Sequence, residues 1–299
     1  MAELSNKLVS IVVVACGIKD YLWSLLDSIK KQTHSSSEVI VVDNSLSLDF
    51  KQKIVEYYPG IQVYSSPRNL FYCQAQNIGI KMSKGDFILC LNDDVVLDKS
   101  FIEEALKGFS IDEKIGMVGG KILRQDGVTI DSTGLFLSPF YTAKERGYGM
   151  KDKGQFNKEE YVFGVNGAVA FYRKNMLEKI KESGNYFDPD FHIFYEDLDI
   201  AWRAQNKGWE GYYIPSAIAY HIRGGTVRQS QGIGKSCARR YLSDELHIGL
   251  IKNRYLTIIK NESFFGFLLH IPFIFLYDII MWGFVLFFRP KLIKFFFHR

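Results

Sequence analysis

The sequence predicts an α/β fold in which a mostly parallel sheet carries helices on both faces and a helical extension follows at the C-terminus. Three observations lead to this prediction. Short β-branched apolar runs alternate with segments of helical spacing over roughly the first 110 residues, which is typical of such sheets. Polar residues follow most of these runs directly. Residues 264–288 form the most apolar stretch of the chain.

The first half of the chain alternates regularly between strand and helix patterns. The predicted strands cover residues 8–14, 38–42, 61–64 and 87–91, and the predicted helices cover 20–32, a stretch through Ile54 and Tyr58, 71–82 and 101–109. Within 20–32, the apolar residues Leu22, Leu25, Leu26 and Ile29 recur at the spacing of one helical face. Because strand and helix alternate with short connections, the pattern favours a parallel sheet.

The second half is predicted to contain shorter elements. It has an apolar run at 117–123, a loop-like stretch at 131–154 rich in Gly, Tyr and charge, a strand ending at Tyr172 and a helix over 174–181. Another helix begins in an acidic cluster at 195–199 and runs to about residue 205. A strand over 209–214 is expected to end at Pro215, and residues 219–221 lead into Gly224 and Gly225.

The composition excludes several classes of protein. The formal charge is +4 without a long basic patch, so nucleic acid is not an expected partner. Neither a Gly-x-Gly-x-x-Gly after the first strand nor a Gly-x-x-x-x-Gly-Lys-Ser/Thr occurs, which argues against dinucleotide redox chemistry and P-loop phosphoryl transfer. The four scattered cysteines fit a reducing compartment. Polar residues 1–7 lead straight into a strand, so no signal peptide is expected.

The ends of the predicted strands indicate a ligand site. In parallel sheets ligands bind at the carboxyl ends of the strands, and those ends are Ala15-Cys16, Asp43-Asn44, residues 65–68 and Asn92-Asp93-Asp94. Three of the four carry groups suited to a base, a ribose, a phosphate or a metal. On its own, the stretch from Asn92 to Asp94 fits a turn as well as a metal site. Its position among four strand ends favours the metal site.

A second acidic cluster opens the helix that begins near residue 196. Asp199 lies four residues before Arg203, so an ordinary ion pair accounts for it. Asp197 is on another face, and it is either a first-turn acid that complements the helix dipole or a general base that faces the crevice. His221 ends a strand just before a Gly pair. It is either a structural histidine or a further metal ligand.

Together these segments resemble the inverting family 2 glycosyltransferases with the GT-A fold, a Rossmann-like architecture, and especially their rhamnosyltransferase-like branch. The matching segments occur in family order over roughly residues 8–260: Val9-Ser10-Ile11-Val12-Val13-Val14, Val41-Val42-Asp43-Asn44-Ser45, Arg68-Asn69, Gln76-Asn77-Ile78-Gly79, Gly85-Asp86, Leu91-Asn92-Asp93-Asp94, Asn166-Gly167-Ala168, Glu196-Asp197-Leu198-Asp199, Trp202-Arg203 and His221. The ordered set is specific, although no single motif is decisive. The Gln-x-x-Arg-Trp motif of processive synthases is absent, which weakens a polysaccharide-synthase interpretation.

The resemblance implies a role for each matching side chain. The nucleotide would be bound by Ala15, Asp43, Arg68, Asn77, Asn92 and Asp93, with Asp43 on the pyrimidine base. Asp94, with His221, would hold Mg²⁺ or Mn²⁺ on the sugar diphosphate. Asp197 would be the catalytic base. The donor or acceptor sugar would be met by Asn166, Gly167, Glu196, Trp202 and Arg254.

The implied reaction is an inverting, metal-dependent sugar transfer. The donor would be a nucleotide-sugar, with dTDP-rhamnose as first choice and UDP-sugars open, and the acceptor a glycan or polyprenyl-diphosphate-linked glycan of cell-surface polysaccharide synthesis. One alternative is a nucleotidyltransferase with a similar core, although Ala15-Cys16-Gly17-Ile18-Lys19 matches its Gly-rich basic loop poorly. The other is a non-catalytic membrane-bound scaffold that has kept the fold.

Three regions are expected: a catalytic domain over residues 1–225, a helical acceptor-side region over 226–262 and an apolar, basic tail over 263–299. The helical region, predicted from about residue 235, is basic, which suits a solvated face or contact with an acceptor pyrophosphate or anionic lipid. Residues 264–288 could span a bilayer, but His270, Pro272 and Asp278 interrupt them. We therefore expect helices kinked at Pro272 in the membrane interface, on the cytoplasmic face. A buried or oligomer-forming tail is the alternative.

Overall fold

The computed structural model describes residue 4, residues 6–223 and residues 243–297. Several predicted features lie outside the described residues: the boundary after residue 225, the pair Gly224-Gly225, the first part of the helix expected from residue 235, Cys237, Arg239, Arg240 and Arg299. Cys16, Cys73 and Cys90 are free thiols.

The described residues form twelve strands and nine α-helices. The strands are β1 (Val9–Ala15), β2 (Ser37–Asp43), β3 (Gln62–Ser65), β4 (Phe87–Asn92), β5 (Val95–Leu97), β6 (Ile115–Arg124), β7 (Ile130–Ser132), β8 (Leu135–Leu137), β9 (Ala143–Glu145), β10 (Glu160–Val162), β11 (Val169–Arg173) and β12 (Glu210–His221). The helices are α1 (Asp20–Lys30), α2 (Phe50–Tyr57), α3 (Phe71–Met82), α4 (Phe101–Gly108), α5 (Lys174–Ile180), α6 (Glu196–Asn206), α7 (Asp244–Asn261), α8 (Phe264–Phe288) and α9 (Ile293–Phe297).

One large sheet organises the molecule. Its strands follow the order β10-β12-β6-β11-β4-β1-β2-β3, with β5 paired to β12 and β7 paired to β6. Strands β3, β2, β1 and β4 are parallel, as predicted. Strand β11 then enters antiparallel to both β4 and β6, while β12 runs parallel to β6. The α/β class is confirmed, and the sheet is mixed because β11 is reversed between its two neighbours.

Helices cover both faces of the sheet, and β1 explains why. Every residue of β1 is buried, as expected of a strand covered on both sides. Alternate residues enter different clusters: Ile11 packs with α1, α2 and α4, and Val12 packs with α3, α5 and α6. On α3, a Cβ at Gly79 would lie 2.2 Å from Cγ1 of Val12. Glycine therefore allows α3 to lie directly against the strand.

Two details of the second half differ from the sequence prediction. The stretch 131–154 contains most of β7 and all of β8 and β9, whose three-residue length leaves too short a pattern to distinguish from a loop. Strand β12 does not end at Pro215 but continues to His221, and its register against β6 shifts between Ile214 and Ile218. A bulge of this kind accommodates a proline, which has no N–H for the ladder.

The C-terminal helices pack beside α6. Asn261 at the end of α7 donates from Nδ2 to Oδ1 of Asp199 on α6, over 2.9 Å. Helix α8 is one helix that continues through Pro272, the position at which the sequence predicted a kink between helices. It is the one helix among the described residues that is long and apolar enough to cross a membrane. Only 17% of its most apolar 18-residue stretch is buried inside the protein. Phe265, Leu269 and Phe287 are more than two-thirds exposed.

Arg254 fastens α8 to the rest of the protein. This side chain on α7 is 1% exposed. Its guanidinium donates to the Phe140 carbonyl, over 3.1 and 2.9 Å, and to Oδ1 of Asp278 on α8, over 2.6 Å. The prediction that Arg254 meets a sugar is therefore wrong, since its donors are committed to the protein interior. The same contact neutralises Asp278 within the apolar helix.

Candidate active site

The carboxyl ends of β1, β2 and β4 form one row across the sheet. Ala15 is aligned with Asp43 on β2, and Val14 is aligned with Asn92 on β4. The register therefore brings three of the predicted strand ends to the same edge, as the parallel pairing requires. Residues 93–94 follow Asn92 in the turn to β5. This edge is the floor of the candidate crevice.

Asp43 has one carboxylate oxygen without a partner. The residue is 1% exposed, and Oδ1 accepts from the amide and the hydroxyl of Ser45, over 2.7 and 2.5 Å. Oδ2 is buried and has no hydrogen-bond partner among the described residues. Leaving such an acceptor unsatisfied is costly. A ligand N–H, such as the imide of a pyrimidine base, would satisfy it.

Arg68 and Asn77 differ in their availability. Arg68 is exposed on the loop after β3, and the amide of Ser66 in that loop donates to the Asp43 carbonyl over 3.2 Å. Asn77 is buried on α3, where Nδ2 donates to the Phe187 carbonyl and Oδ1 accepts from the amides of Tyr186 and Phe187. The structure therefore contradicts a nucleotide contact for Asn77, because its amide group holds the Tyr186–Phe187 loop against α3.

Asp93 joins the ends of β1 and β4. Its Oδ2 accepts from the backbone amide of Cys16 over 2.9 Å. Burial, assisted by the negative charge of Asp94, raises the pKa of Asp93 to about 6, although the Cys16 amide opposes this rise. Asp93 thus fixes the turn that presents Asp94, and it is ionised only above mildly acidic pH.

Asp94 and His221 meet at the other side of this turn. Oδ1 of Asp94 lies 3.2 Å from Nε2 of His221. Nδ1 of His221 lies 2.8 Å from Oδ2 of the fully buried Asp131, and Oδ1 of Asp131 accepts from Nε of Arg223 over 2.6 Å. The four side chains form one continuous network. Sequence reasoning missed Asp131, which lies in the stretch interpreted as a loop, 90 residues from His221.

The network controls the charge of the histidine. Burial opposes a positive charge on His221, but hydrogen bonds to Asp131 and Asp94 outweigh it and raise its pKa to about 9. Burial also works against the Asp131 carboxylate, yet His221 and Arg223 hold the pKa of Asp131 below its usual value. Without a ligand, His221 is therefore the cation that balances Asp94 and Asp131.

The same pair fits a divalent metal. In octahedral Mg²⁺ sites the ligands lie about 2.1 Å from the ion, so adjacent ligand atoms are about 3 Å apart, close to the 3.2 Å between Asp94 and His221. A carboxylate that accepts from the second ring nitrogen commonly orients a metal-binding histidine, as Asp131 does here. Among the described residues, no group of three or more His, Cys, Asp or Glu side chains could hold a metal. Diphosphate and water oxygens would have to complete the coordination.

The backbone before α6 directs the second acidic cluster into the crevice. Phe194 and Tyr195 have φ of 67° and 71°, a left-handed conformation that is uncommon for bulky residues and often marks functional sites. Asp197 follows, with Oδ1 accepting from the Leu198 amide over 2.8 Å and Oδ2 from the Gly167 amide over 3.3 Å. A Cβ at Gly167 would lie 3.3 Å from the Asp197 Cβ. Glycine there permits this close approach.

Three carboxyl groups share this part of the crevice without an ion-pair partner among the described residues. Burial raises the pKa of Asp197. Burial, with the charge of Asp197, also raises the pKa of Glu196 to about 8 and that of Glu145 to about 8. Oε2 of Glu196 is buried and has no hydrogen-bond partner in the part of the chain that the structure describes. The cluster therefore retains protons at neutral pH and keeps Asp197 a stronger base than a solvated carboxylate.

The sequence did not point to Glu145. It did point to Asn166, as a contact of the sugar, and the structure shows Asn166 hydrogen-bonded to Glu145. Nδ2 of Asn166 donates to Oε1 of Glu145 over 2.8 Å, and the Ser132 hydroxyl donates to Oε2 of Glu145. The loop that follows β10 is thus joined to β9 and β7. No local signal could have found Glu145, because its partners come from two other segments of the chain.

The rest of α6 is structural. Asp199 accepts at Oδ2 from Nε of Arg203 over 2.9 Å, which confirms the predicted ion pair. Trp202 is 6% exposed and stacks on Tyr141, with 5.3 Å between the ring centroids. The prediction that Trp202 meets a sugar is therefore wrong. It lies five residues after Asp197, on a helical face turned toward the loop that precedes β9.

Comparison with known proteins identifies the family. The family model "Glycosyl transferase family 2" matches residues 10–181. The N-acetylglucosaminyl-diphospho-decaprenol L-rhamnosyltransferase of Mycobacterium tuberculosis is 23% identical over 233 residues, which cover 71% of this chain and 75% of that protein. The O-antigen chain rhamnosyltransferase WbaN of Salmonella anatum is 25% identical over 207 residues, 67% of this chain and 61% of that one.

Solved structures share the fold at low sequence identity. GalNAc-T7 with UDP, GalNAc and Mn²⁺ superposes with a TM-score of 0.62 at 15% identity, over 85% of this chain and 48% of that chain. The mannosyltransferase PcManGT from Pyrobaculum calidifontis, in complex with GDP-Man and Mn²⁺, gives 0.59 at 14% identity, over 87% and 66%. The chain therefore spans about half to two-thirds of these structures. By its family match and its fold, the chain belongs to glycosyl transferase family 2 and is a glycosyltransferase.

Proposed function

We propose that this glycosyltransferase is metal-dependent and inverting, and that it moves a sugar, with rhamnose as first choice, from a nucleotide-sugar to a glycan or polyprenyl-diphosphate-linked glycan of the cell surface. The observation that carries the proposal is the pairing in one crevice of Asp94 and His221, which suit a metal, with Asp197, a half-buried carboxylate of raised pKa that has no cationic partner among the described residues. The choice of rhamnose rests on the two rhamnosyltransferases among its relatives.

The nucleotide would occupy the row of strand ends. Oδ2 of Asp43 is the acceptor for the base, and the exposed Arg68 lies on the loop anchored to the Asp43 carbonyl. The end of β1 at Ala15 and the half-buried pair Asn92 and Asp93 border the ribose and the diphosphate. Asn77 is left out of this set because its amide oxygen accepts two hydrogen bonds and its Nδ2 donates one within the protein.

Asp94 and His221 would hold Mg²⁺ or Mn²⁺ on the diphosphate. When bound, the metal neutralises the charge that develops on the leaving nucleoside diphosphate. Metal binding would displace the proton from Nε2 of the His221 cation, while Asp131 would keep the remaining proton on Nδ1. A carboxylate with phosphate oxygens and water is the arrangement in which Mg²⁺ usually binds nucleotides, and His221 would add a nitrogen ligand to it.

Asp197 would act on the acceptor. It takes the proton from an acceptor hydroxyl, whose oxygen attacks the anomeric carbon on the face opposite the leaving diphosphate, so the configuration inverts. A raised pKa brings the base closer to the working pH and strengthens its pull on the proton. The amides of Gly167 and Leu198 hold both carboxylate oxygens in place. No protein nucleophile is required.

Helix α8 would place the enzyme at the membrane that carries a lipid-linked acceptor. Its exposed surface is almost entirely apolar and includes Phe264, Phe265, Leu269, Phe275, Ile280 and Phe287. One side packs on the protein through Ile274, Met281 and Val285. A helix packed on one side and apolar on the other suits the interface better than an isolated span. Lys291 and Lys294 follow it and would meet anionic headgroups of the cytoplasmic leaflet.

Donor hydrolysis tests the proposal. The full-length protein would be incubated with dTDP-rhamnose and with UDP- and GDP-sugars, with Mn²⁺ or with EDTA, and the released nucleoside diphosphate measured. We expect release from one donor class that requires the metal and is lost in Asp94→Asn. Thermal shift with the same nucleotides provides a second measurement. Absence of both turnover and nucleotide binding across the panel would favour the scaffold alternative.

Membrane binding needs its own test. Flotation with vesicles that contain anionic lipid should recover the wild-type protein, and the double variant Phe275→Glu and Phe287→Glu should float several-fold less. Both side chains are exposed, so their replacement leaves the interior intact. Equal flotation of the two proteins would refute anchoring through α8.

A further inference from the structure

Three segments border the space between the proposed metal ligands, Asp94 and His221, and the proposed base, Asp197. We call this space the interval. The sequence alone did not bring the three segments together. Strand β7 carries Asp131 toward His221 and Ser132 toward Glu145. The loop before β11 carries Asn166 toward Glu145 and Gly167 toward Asp197. Glu145 on β9 is the residue that both segments contact, and the negative charges of Asp197 on one side and Asp131 on the other both help to raise its pKa.

The position of this interval identifies what would fill it. In an inverting displacement the anomeric carbon lies between the leaving diphosphate and the attacking hydroxyl. The diphosphate belongs at Asp94 and His221, and the hydroxyl belongs at Asp197. The ring of the transferred sugar must therefore lie between them, along the wall that Glu145 and Asn166 form.

Glu145 retains capacity to bind a ligand there. A carboxylate offers about four acceptor positions, and the protein uses one on each oxygen, from Asn166 and from Ser132. The residue is also partly exposed, although its partners Asn166 and Ser132 are buried. A purely structural joint between Ser132 and Asn166 could be made by a neutral amide, without the cost of burying an acid beside Asp197. The presence of a carboxyl group at position 145 therefore indicates a role beyond joining these two residues.

We propose that Glu145, held by Asn166 and Ser132, forms the subsite that accepts hydrogen bonds from hydroxyl groups of the transferred sugar and so selects the donor sugar. This inference rests on the proposed function. The burial that raises the pKa of Glu145 to about 8 lets it act either as acceptor or, when protonated, as donor to a ring hydroxyl. Asn166 adds an amide beside it, and the backbone turn closed by the Ala168 amide on Oδ1 of Asn166 keeps that amide in place.

The test compares a nucleotide with the same nucleotide carrying a sugar. Dissociation constants for dTDP and dTDP-rhamnose, and for UDP and UDP-glucose, would be measured with Mn²⁺ on the wild type and on Glu145→Gln. Removing one hydrogen-bond partner of a buried polar group costs roughly five- to a hundredfold in affinity. We expect Glu145→Gln to weaken the better sugar nucleotide about tenfold and to leave the matching nucleoside diphosphate within twofold.

Two further variants guard against a structural artefact. Glu145→Asp keeps the acid but withdraws it by one methylene, and it should also weaken the sugar nucleotide selectively. Glu160→Gln on β10 removes an exposed carboxylate paired with Arg146, and it should change neither constant.

The outcomes separate this inference from the proposed function. A wild type that binds no sugar nucleotide would overturn both. A wild type that binds one, with Glu145→Gln equal to it or with both ligands weakened alike, would overturn only the sugar subsite.

Discussion

The carboxylates that follow β4 and those at the start of α6 lie in one crevice but face different neighbours. Asp94 contacts Nε2 of His221, and Nδ1 of the same histidine contacts Asp131. Arg223 in turn forms an ion pair with Asp131. Among the described residues, Asp197 meets backbone amides and further acids, among them Glu196. In the part of the chain that the structure describes, Asp94 thus has a histidine beside it, whereas Asp197 has no cationic neighbour in hydrogen-bond or ion-pair contact.

This difference separates the chemistry that the two groups can perform. A carboxylate beside a histidine that another carboxylate orients suits a metal that is shared with a phosphate. A carboxylate that is buried among other acids binds a proton more tightly, which a general base requires. The same side chain thus acquires two roles from its surroundings alone.

The largest expected effect comes from removing the base. Asp197→Asn should lower kcat for sugar transfer on the order of 10³-fold, because general-base catalysis contributes about 10²- to 10⁴-fold. Binding of the nucleoside diphosphate with Mn²⁺, measured by calorimetry, should stay unchanged. The matched control is Asp190→Asn, an exposed carboxylate shortly before α6. Near-wild-type transfer by Asp197→Asn would show that the base lies elsewhere.

A smaller effect is expected from the support of the histidine. Asp131→Asn should weaken Mn²⁺ affinity in the presence of nucleotide by about 10- to 100-fold, as is usual when the partner of a metal-binding histidine is lost. Nucleotide binding in EDTA should not change, since Asp131 lies behind His221. A Mn²⁺ titration followed by paramagnetic resonance measures this directly. If the affinity is unchanged, His221 is not a ligand that Asp131 orients.

The uncompensated acids should also appear in the pH dependence of stability. Burial raises the pKa of Glu196 from 4.5 to about 8, so the folded state holds a proton that the unfolded state has released. Stability should therefore fall as the pH rises from about 4.5 to 8. In Glu196→Gln this fall should be smaller, which raises Tm at pH 8 by roughly 2 to 4 °C for each kcal/mol recovered.

A surface glutamate of opposite character is the control for that experiment. The hydrogen bonds of Glu178 to Lys181 and Tyr186 lower its pKa, so its contribution is present above pH 4.5 and is lost as the pH falls below that value. Glu178→Gln should leave Tm at pH 8 unchanged or slightly lower. If Glu178→Gln raised Tm at pH 8 as much as Glu196→Gln does, the rise would not come from removing a buried acid without a cationic partner.

The smallest effect is expected at Asp93, which lies between the two environments. Asn can accept the same hydrogen bond from the Cys16 amide, so Asp93→Asn should change the free energy of unfolding at pH 7 by less than about 1 kcal/mol. Denaturant titration measures this change. A loss above about 3 kcal/mol would indicate that the charge of Asp93, and not only its shape, holds the turn.

Much of the fold could be predicted because its signal is local. The strands and helices from β1 to α4 follow apolar periodicity that is complete within each segment. The strand ends at Asp43 and Asp94 could be predicted as well, because parallel strands must present them at one edge. The reversed strand β11 could not, since its direction depends on the whole excursion between β6 and β11.

The parts of the site that escaped prediction depend on contacts between distant segments. Asp131 and Glu145 lie in three-residue strands without a readable period, and their partners His221 and Asn166 are 90 and 21 residues away. Asn77 and Arg254 show the opposite error, because both were predicted to belong to the site and neither faces it. A sequence does not show whether a polar group faces the crevice or satisfies a buried loop, and both of these do the latter.

The attachment of α8 has a mechanical consequence. Two residues separate it from α7, and the buried guanidinium of Arg254 clamps Asp278 of α8 to the carbonyl of Phe140. Phe140 lies shortly before β9, the strand that ends in Glu145. Tyr141, next to Phe140, also contacts His270 of α8 over 2.9 Å. A tilt imposed on α8 by its surroundings would therefore act as a lever on the segment that leads to Glu145.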